Sequence, residues 1–281
     1  MPTNKEVDER AACLLSNGTA GEVVMNLLRS HYFDAASQTV KLASLNAATT
    51  RIRKLAAAPK SFRLSREEVL AFKRRGEDAV LAKSESPILI PNGDELVSMI
   101  TGMLETATVH TSNPKLIFPL LLASGRRLTE ILSPRSVFSP HPHPFYTRFS
   151  GQLKKRGAAS TYTIPLLVPY TTFATGLLAL RQKQGNALHH FTNQQLYNRY
   201  HGQISRHLHR TLPLPNECHV HTLRALYASL VYELYEVPCI FARMCMHVLG
   251  HELLRESLTY SCVRVEGVAC KGRYGPLHIG E

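Results

Sequence analysis

One stretch breaks an otherwise helical pattern. In YTRFSGQLKKRGAASTYTIPLL, Tyr146 to Leu167, Phe, Leu, Tyr and Ile alternate about a glycine-containing turn, which predicts a short β-hairpin. Elsewhere apolar residues recur at helical spacing, as in ELVSMITGMLETA, PKLIFPLLLAS, HTLRALYASLVYELY and FARMCMHVLGH; Gly125 ends the second of these just before RRLTEIL resumes. Leu, Ala and Val carry most of the apolar content, which also favours helices. The N-terminal part reads the same way. In LSREEVLAFKRRGEDAVL, Ser65 and Glu68 fit a capping box, Leu70, Phe72 and Val80 mark a buried side, and Gly76 fits a C-cap. SESPILIPNGDE, with two prolines and an Asn-Gly turn signal, reads as a linker. The expected fold class is mainly α with a small β-sheet (α+β): a helical N-terminal domain over residues 1–85 and a second domain over 86–281.

Charge narrows the function. The net charge is +12, and from Ile131 to Asn216 there is no Asp or Glu in 86 residues, while Arg135, Arg148, Lys154, Lys155, Arg156, Arg181, Lys183, Arg199, Arg206 and Arg210 supply ten positive charges. A solvated face usually mixes both signs, so an acid-free interval reads as surface that approaches phosphates without repelling them. Arg148, Lys155, Arg156, Arg206 and Arg210 are the expected contacts to nucleic acid. Six cysteines form no C-x-x-C pair, and the start MPTNKEVDERAACLL lacks the form of a secretory signal, so reduced thiols in an intracellular protein are expected. The longest apolar run, in KLIFPLLLAS, is shorter than the roughly 20 residues a bilayer span requires.

LGHELLRESLTY offers two chemistries. A zinc-protease helix needs H-E-x-x-H, and Arg255 stands where the second histidine would be, so Glu252 becomes an ordinary helix-start acid and no metal is expected. The alternative joins His251 to Tyr260 and looks upstream: SGRRLTEIL with Arg126 and Arg127, FSGQLKKRG with Lys154, HTLR with His221 and Arg224, then His251 and Tyr260. Singly, each of these is an ordinary surface pair, cap or packing residue. In this order they resemble the active-site signature of the tyrosine recombinase superfamily, which is Arg, Lys, His-x-x-Arg, His or Trp, Tyr. The finer resemblance is to protelomerases, the telomere resolvases of linear plasmids and phages. It rests on Gly125-Arg126-Arg127-Leu128-Thr129-Glu130-Ile131-Leu132, on Gly151-Gln152-Leu153-Lys154-Lys155-Arg156, on Tyr162-Thr163-Ile164-Pro165, and on Gly250-His251 nine residues before Tyr260, covering about residues 105 to 265.

The resemblance implies roles for these residues. Breaking a phosphodiester without metal requires a nucleophile, charge neutralisation on the non-bridging oxygens, and a proton for the departing 5′-oxygen. Tyr260 would attack, giving a 3′-phosphotyrosine; Arg127, two residues before Thr129, and Arg224 would clamp the phosphate. Lys154 would be the general acid, with Lys155 as the fallback in another register. His251 would donate to a non-bridging oxygen, and His221 would help accept the tyrosyl proton or orient the phosphate. Arg126 would contact the DNA backbone or pair with an acid.

The expected activity is therefore metal- and ATP-independent breaking and rejoining of double-stranded DNA, without cofactor. A homodimer or higher oligomer would act on a palindromic target and leave closed hairpin ends; residues 1–85 would clamp DNA or support the catalytic domain. A conventional integrase, a type IB topoisomerase and a DNA-binding protein of the same fold without catalysis are the alternatives. Family members depart from this chain in often carrying Lys or another residue at the position of His221. They are also usually longer, where this chain has about 85 residues before the expected linker and 21 after Tyr260.

Overall fold

The computed structural model describes residues 3–34, 39, 40, 42–57, 62–153, 161–212, 214, 215, 218–251 and 254–278. Two compact units, Met1–Leu81 and Ala82–Glu281, make up the chain. Among the described residues, no helix is long and apolar enough to cross a membrane.

The first unit holds α1 (Asn4–Ser16), α2 (Gly21–His31), the antiparallel pair β1 (Phe33–Asp34) and β2 (Thr39–Val40), α3 (Leu42–Leu55) and most of α4 (Arg66–Glu85). Ala11, Val24, Leu28, Leu45, Ala48 and Ile52, from the first three helices, form its core. Asp8 is buried among them, and it accepts from the Tyr32 hydroxyl at 3.1 Å and from the Arg51 guanidinium, which offsets the desolvation of its charge.

α4 starts as the sequence predicts, because Ser65 Oγ accepts from the Glu68 amide at 3.1 Å and Glu68 Oε2 accepts from the Ser65 amide at 2.8 Å. Arg29 forks onto the same carboxylate at 2.8 and 3.1 Å, tying α2 to α4 and holding Glu68 below the usual carboxylate range. Gly76, however, does not end the helix. Good helix formers follow it, and one interior glycine costs only about 1 kcal/mol, so α4 continues to Glu85. Leu70 is exposed and Val69 takes the inward place.

In the second unit the expected linker carries a strand. Ile88–Ile90 (β3) pairs in parallel with Val263–Val265 (β7), matching Ile88 to Val263 and Ile90 to Val265. The Asn-Gly signal beside it opens α5 (Gly93–Glu105). Next comes α6 (Asn113–Ser124), whose residues Leu116 to Ser124 are all buried, as expected for a helix apolar all round. It packs against α5, α8 (Tyr170–Gln184), α9 (Asn193–Thr211) and α10 (Thr222–Leu234). Gly125 ends α6 in the left-handed region at φ +61° and leads into α7 (Leu128–Leu132). The predicted hairpin is present as β5 (Tyr146–Ser150) and β6 (Tyr162–Pro165), joined by β4 (Val137–Pro140) into a three-stranded antiparallel sheet. After α10 come α11 (Phe241–Leu249), α12 (Leu254–Ser257) and a 3₁₀ turn, Leu258–Cys262, that carries Tyr260. β7 then fixes the chain beyond that turn, its Val265 amide donating to Ser229 Oγ of α10 at 2.9 Å.

Candidate active site

Two helix ends meet to form the site. At the C-terminus of a helix the last carbonyls lack intrahelical partners and carry the negative end of the dipole. The ends of α6 and α11 are joined by two buried guanidiniums. Arg126 donates from Nε to Ser124 O at 3.2 Å and from Nη2 to Val248 O at 2.5 Å, while Arg224 donates from Nη1 to Gly125 O at 2.5 Å and from Nη2 to Leu249 O at 2.6 Å. Successive carbonyls of one helix are thus stapled to successive carbonyls of the other.

Both turns require glycine. A Cβ on Gly125 would lie 2.1 Å from the Tyr227 ring, whose hydroxyl is anchored on Pro165 O at 2.8 Å. Gly250, at φ +67°, closes α11 as a Schellman turn: its amide donates to His247 O at 3.1 Å and the His251 amide to Met246 O at 2.8 Å. That geometry explains the Gly-His pair, because the turn sends the residue after glycine back across the helix end toward Tyr260.

The Tyr260 phenol is the meeting point. Its oxygen lies 3.2 Å from Arg224 Nε, 3.1 Å from His221 Nε2 and 3.4 Å from His251 Nε2, and the tyrosine is only 3% exposed. His251 stacks on the phenol ring with centroids 5.2 Å apart. Its other nitrogen, Nδ1, sits 3.0 Å from the hydroxyl of fully buried Ser257. Burial, then the charges of Arg224, Arg127 and Arg126, pull the His251 pKa down to about 3, so the ring is neutral at ordinary pH. A neutral ring that donates from Nε2 must accept at Nδ1, and the Ser257 hydroxyl is placed to supply that proton. Burial and then the Arg126 charge lower Arg224 to about 10, which leaves it a cation at neutral pH.

The doubled arginine divides its work. Arg126 is buried, with Nη1 on the Tyr162 hydroxyl and its guanidinium 5.3 Å from the Phe149 ring centroid, so the DNA contact expected for it is replaced by an internal strut. Arg127 faces a cleft of about 560 Å³ whose walls include Leu153, Asn193, Tyr197, His221 and Arg224. Glu130, fully buried, accepts from Arg127 Nη1 at 2.8 Å and from the Arg127 amide at 2.9 Å. Although burial pushes that carboxyl up, Arg126, Arg224 and Arg127 hold it below the usual range.

The sequence reading missed how the hairpin root is held. The Leu153 amide donates to Glu130 Oε1 at 3.1 Å, Leu153 O accepts from Arg127 Nη1 at 3.1 Å, and Gln152 Nε2 donates to Gly250 O at 2.6 Å. Lys154, Lys155 and Arg156 lie outside the described residues, as does Glu252. Glu130 and Gln152 stood inside quoted motifs without a role, whereas Ser257 carried no signal of its own. Arg148, Arg206 and Arg210 are exposed, on β5 and α9, and are not part of this cluster.

Residues 89–261, more than half of the chain, match the family described as telomere resolvase ResT/TelK catalytic domain. No curated protein sequence matches the chain significantly. Among solved structures, a variant of protelomerase TelA covalently complexed with substrate DNA is similar at TM-score 0.69 and 20% identity, over 88% of this chain and 83% of that one. A second TelA variant, complexed with a DNA hairpin product, gives TM-score 0.69 and 18% identity over the same shares. Protelomerase TelK complexed with substrate DNA gives TM-score 0.62 and 18% identity over 95% of this chain and 55% of that one. With the fold shared and the sequence matched from β3 to the tyrosine turn, the chain belongs to the telomere resolvase ResT/TelK catalytic domain family.

Proposed function

We propose that this protein cuts DNA strands through Tyr260 and reseals them as covalently closed hairpin ends. The observation that carries the reading is the phenol oxygen held within 3.4 Å of Arg224, His221 and His251, beside a cleft that presents Arg127. In the cleft, Arg127 and Arg224 take the non-bridging oxygens of the scissile phosphate; three of the five N–H donors of Arg224 are engaged by the bonds described, leaving two. The Tyr260 oxygen attacks phosphorus, its proton passes to His221, and neutral His251 donates from Nε2 to a phosphate oxygen. The bond from phosphorus to the 5′-oxygen breaks, and that oxygen takes a proton from Lys154, the residue after the anchored Leu153. The product is a 3′-phosphotyrosine and a free 5′-hydroxyl. Attack of a 5′-hydroxyl on that phosphotyrosine restores the diester and releases the tyrosine, so no external energy source is needed.

Two copies on a palindromic duplex would cut both strands. Each freed 5′-hydroxyl would then attack the phosphotyrosine on the opposite strand to close a hairpin. Exposed Arg148, Arg206 and Arg210, with Lys155 and Arg156, would hold flanking phosphates, and the N-terminal unit would clamp DNA or support the catalytic unit. The setting is intracellular DNA, bacterial or viral. The test is incubation with a palindromic duplex without metal or ATP, read on denaturing gels. Hairpin products that vanish in Tyr260→Phe are expected; strand exchange between two duplexes would reassign the chain to conventional recombination, and cleavage persisting in Tyr260→Phe would contradict the mechanism.

A further inference from the structure

The cleft holds more than a phosphate requires. One wall carries the cations Arg127 and Arg224, while another is lined by the first turns of α9, with Asn193, Gln194 and Tyr197. At about 560 Å³ it has the volume of a small-molecule site, enough for a nucleotide rather than a bare phosphate. Tyr197 leaves 42% of its surface exposed there, although its helix neighbours Leu196 and Tyr200 are buried. Its ring lies against His201, centroids 4.6 Å apart and 34° between planes, and burial, then the charge of His219, lower the pKa of His201, keeping that imidazole neutral. Among the described residues no hydrogen bond holds the Tyr197 hydroxyl, so the position is defined by its ring face. The α9 start is fixed by a capping box, in which Thr192 Oγ1 accepts from the Gln195 amide at 3.3 Å and Gln195 Oε1 accepts from the Thr192 amide at 2.8 Å.

We infer that this wall is a nucleobase subsite: an unstacked base next to the scissile phosphate lies on Tyr197, backed by His201, with Asn193 and Gln194 reading its edge. An aromatic face accepts any base, whereas an amide beside it supplies the donor and acceptor that discriminate. The inference rests on the proposed hairpin reaction, in which bases at the new turn cannot all remain paired while the strand folds back. The subsite gives one such base a place to stack while the 5′-hydroxyl reaches the phosphotyrosine.

The test uses the full chain on a palindromic duplex, comparing wild type, Tyr197→Leu and Tyr197→Phe, with an abasic nucleotide placed in turn at each position between the cuts. Hairpin formation should fall about fivefold or more in Tyr197→Leu and recover in Tyr197→Phe, which keeps the ring. At one abasic position wild type and Tyr197→Leu should then proceed at equal rates, the non-additivity of two partners removed together. Circular dichroism checks that both variants stay folded, as expected for an exposed residue. If wild type forms no Tyr260-linked DNA, the hairpin reading fails and the subsite with it. If that adduct forms but Tyr197→Leu matches wild type, or loses the same factor at every abasic position, the subsite alone is wrong.

Discussion

The two glycine turns that build the site do the same geometric job with different materials. The turn at Gly125 ends a helix buried on every side and is pressed against the Tyr227 ring, which is itself anchored on the hairpin. The turn at Gly250 ends a helix with one exposed face, and what touches it is the end of the Gln152 side chain. The first delivers two arginines, one of which never leaves the interior; the second delivers a half-buried histidine whose ring is set by Ser257. The difference separates a half backed by a buried, anchored ring from a half backed by the end of a side chain, and Arg224 is the strut common to both.

The largest effect that would break this division is at the neighbouring arginines. Arg126→Ala leaves the buried Ser124 and Val248 carbonyls without that donor and removes one of the three cations around Glu130, and should lower stability by about 3–5 kcal/mol, seen as a shifted denaturation midpoint. Arg127→Ala removes the direct ion pair of buried Glu130 but leaves Arg126 and Arg224 near that carboxylate, so it should lower the midpoint by less than Arg126→Ala while cutting the strand-cleavage rate about 10²–10³-fold. Equal destabilisation by both would show that the pair does not divide structural from chemical work. Next come the glycines. Gly125→Ala combines left-handed backbone strain with a clash against a fixed ring, about 2–4 kcal/mol in a thermal melt, whereas Gly250→Ala should cost about 1–2 kcal/mol because a flexible side chain can withdraw.

pH probes the histidine half. The folded-state pKa of His251, about 3, lies below its ordinary 6.5, so the unfolded chain binds more protons between those values. The stability that the neutral ring contributes is complete above 6.5 and is lost as pH falls toward 3. Unfolding midpoints followed through that window should decline less steeply in His251→Gln than in wild type. The smallest expected effect is Ser257→Ala, which frees the imidazole tautomer and should slow cleavage about tenfold, worth about 1.4 kcal/mol, with little change in DNA affinity. An unchanged rate would remove Ser257 from any part in positioning the ring.

Much of this was legible along the chain, wherever the physics is local. The Ser65–Glu68 box, the break at Gly125 and the alternating hairpin each declare themselves within a few residues. The order of Arg127, Arg224, His251 and Tyr260 pointed to one centre, and the structure sets Arg127 and Arg224 along the cleft, with Tyr260 bonded to Arg224 and His251 beside Tyr260. What stayed hidden is non-local. The pairing of Ile88–Ile90 with Val263–Val265 joins segments 175 residues apart, and only the tertiary fold creates it. Nothing in Arg126-Arg127 says which guanidinium turns inward, since that depends on where Val248 O and the Tyr162 hydroxyl come to lie. Gly76 misled because a glycine suits both a helix end and, at small cost, a helix interior.

The most direct measurement is peptide mapping of the trapped protein–DNA adduct after nuclease digestion, by mass spectrometry. A nucleotide linked through phosphate to the peptide containing Tyr260, and to no other tyrosine, is the predicted result. An adduct on a different residue, or cleaved DNA with no protein-linked phosphate at any stage, would contradict the assignment of Tyr260 as the nucleophile.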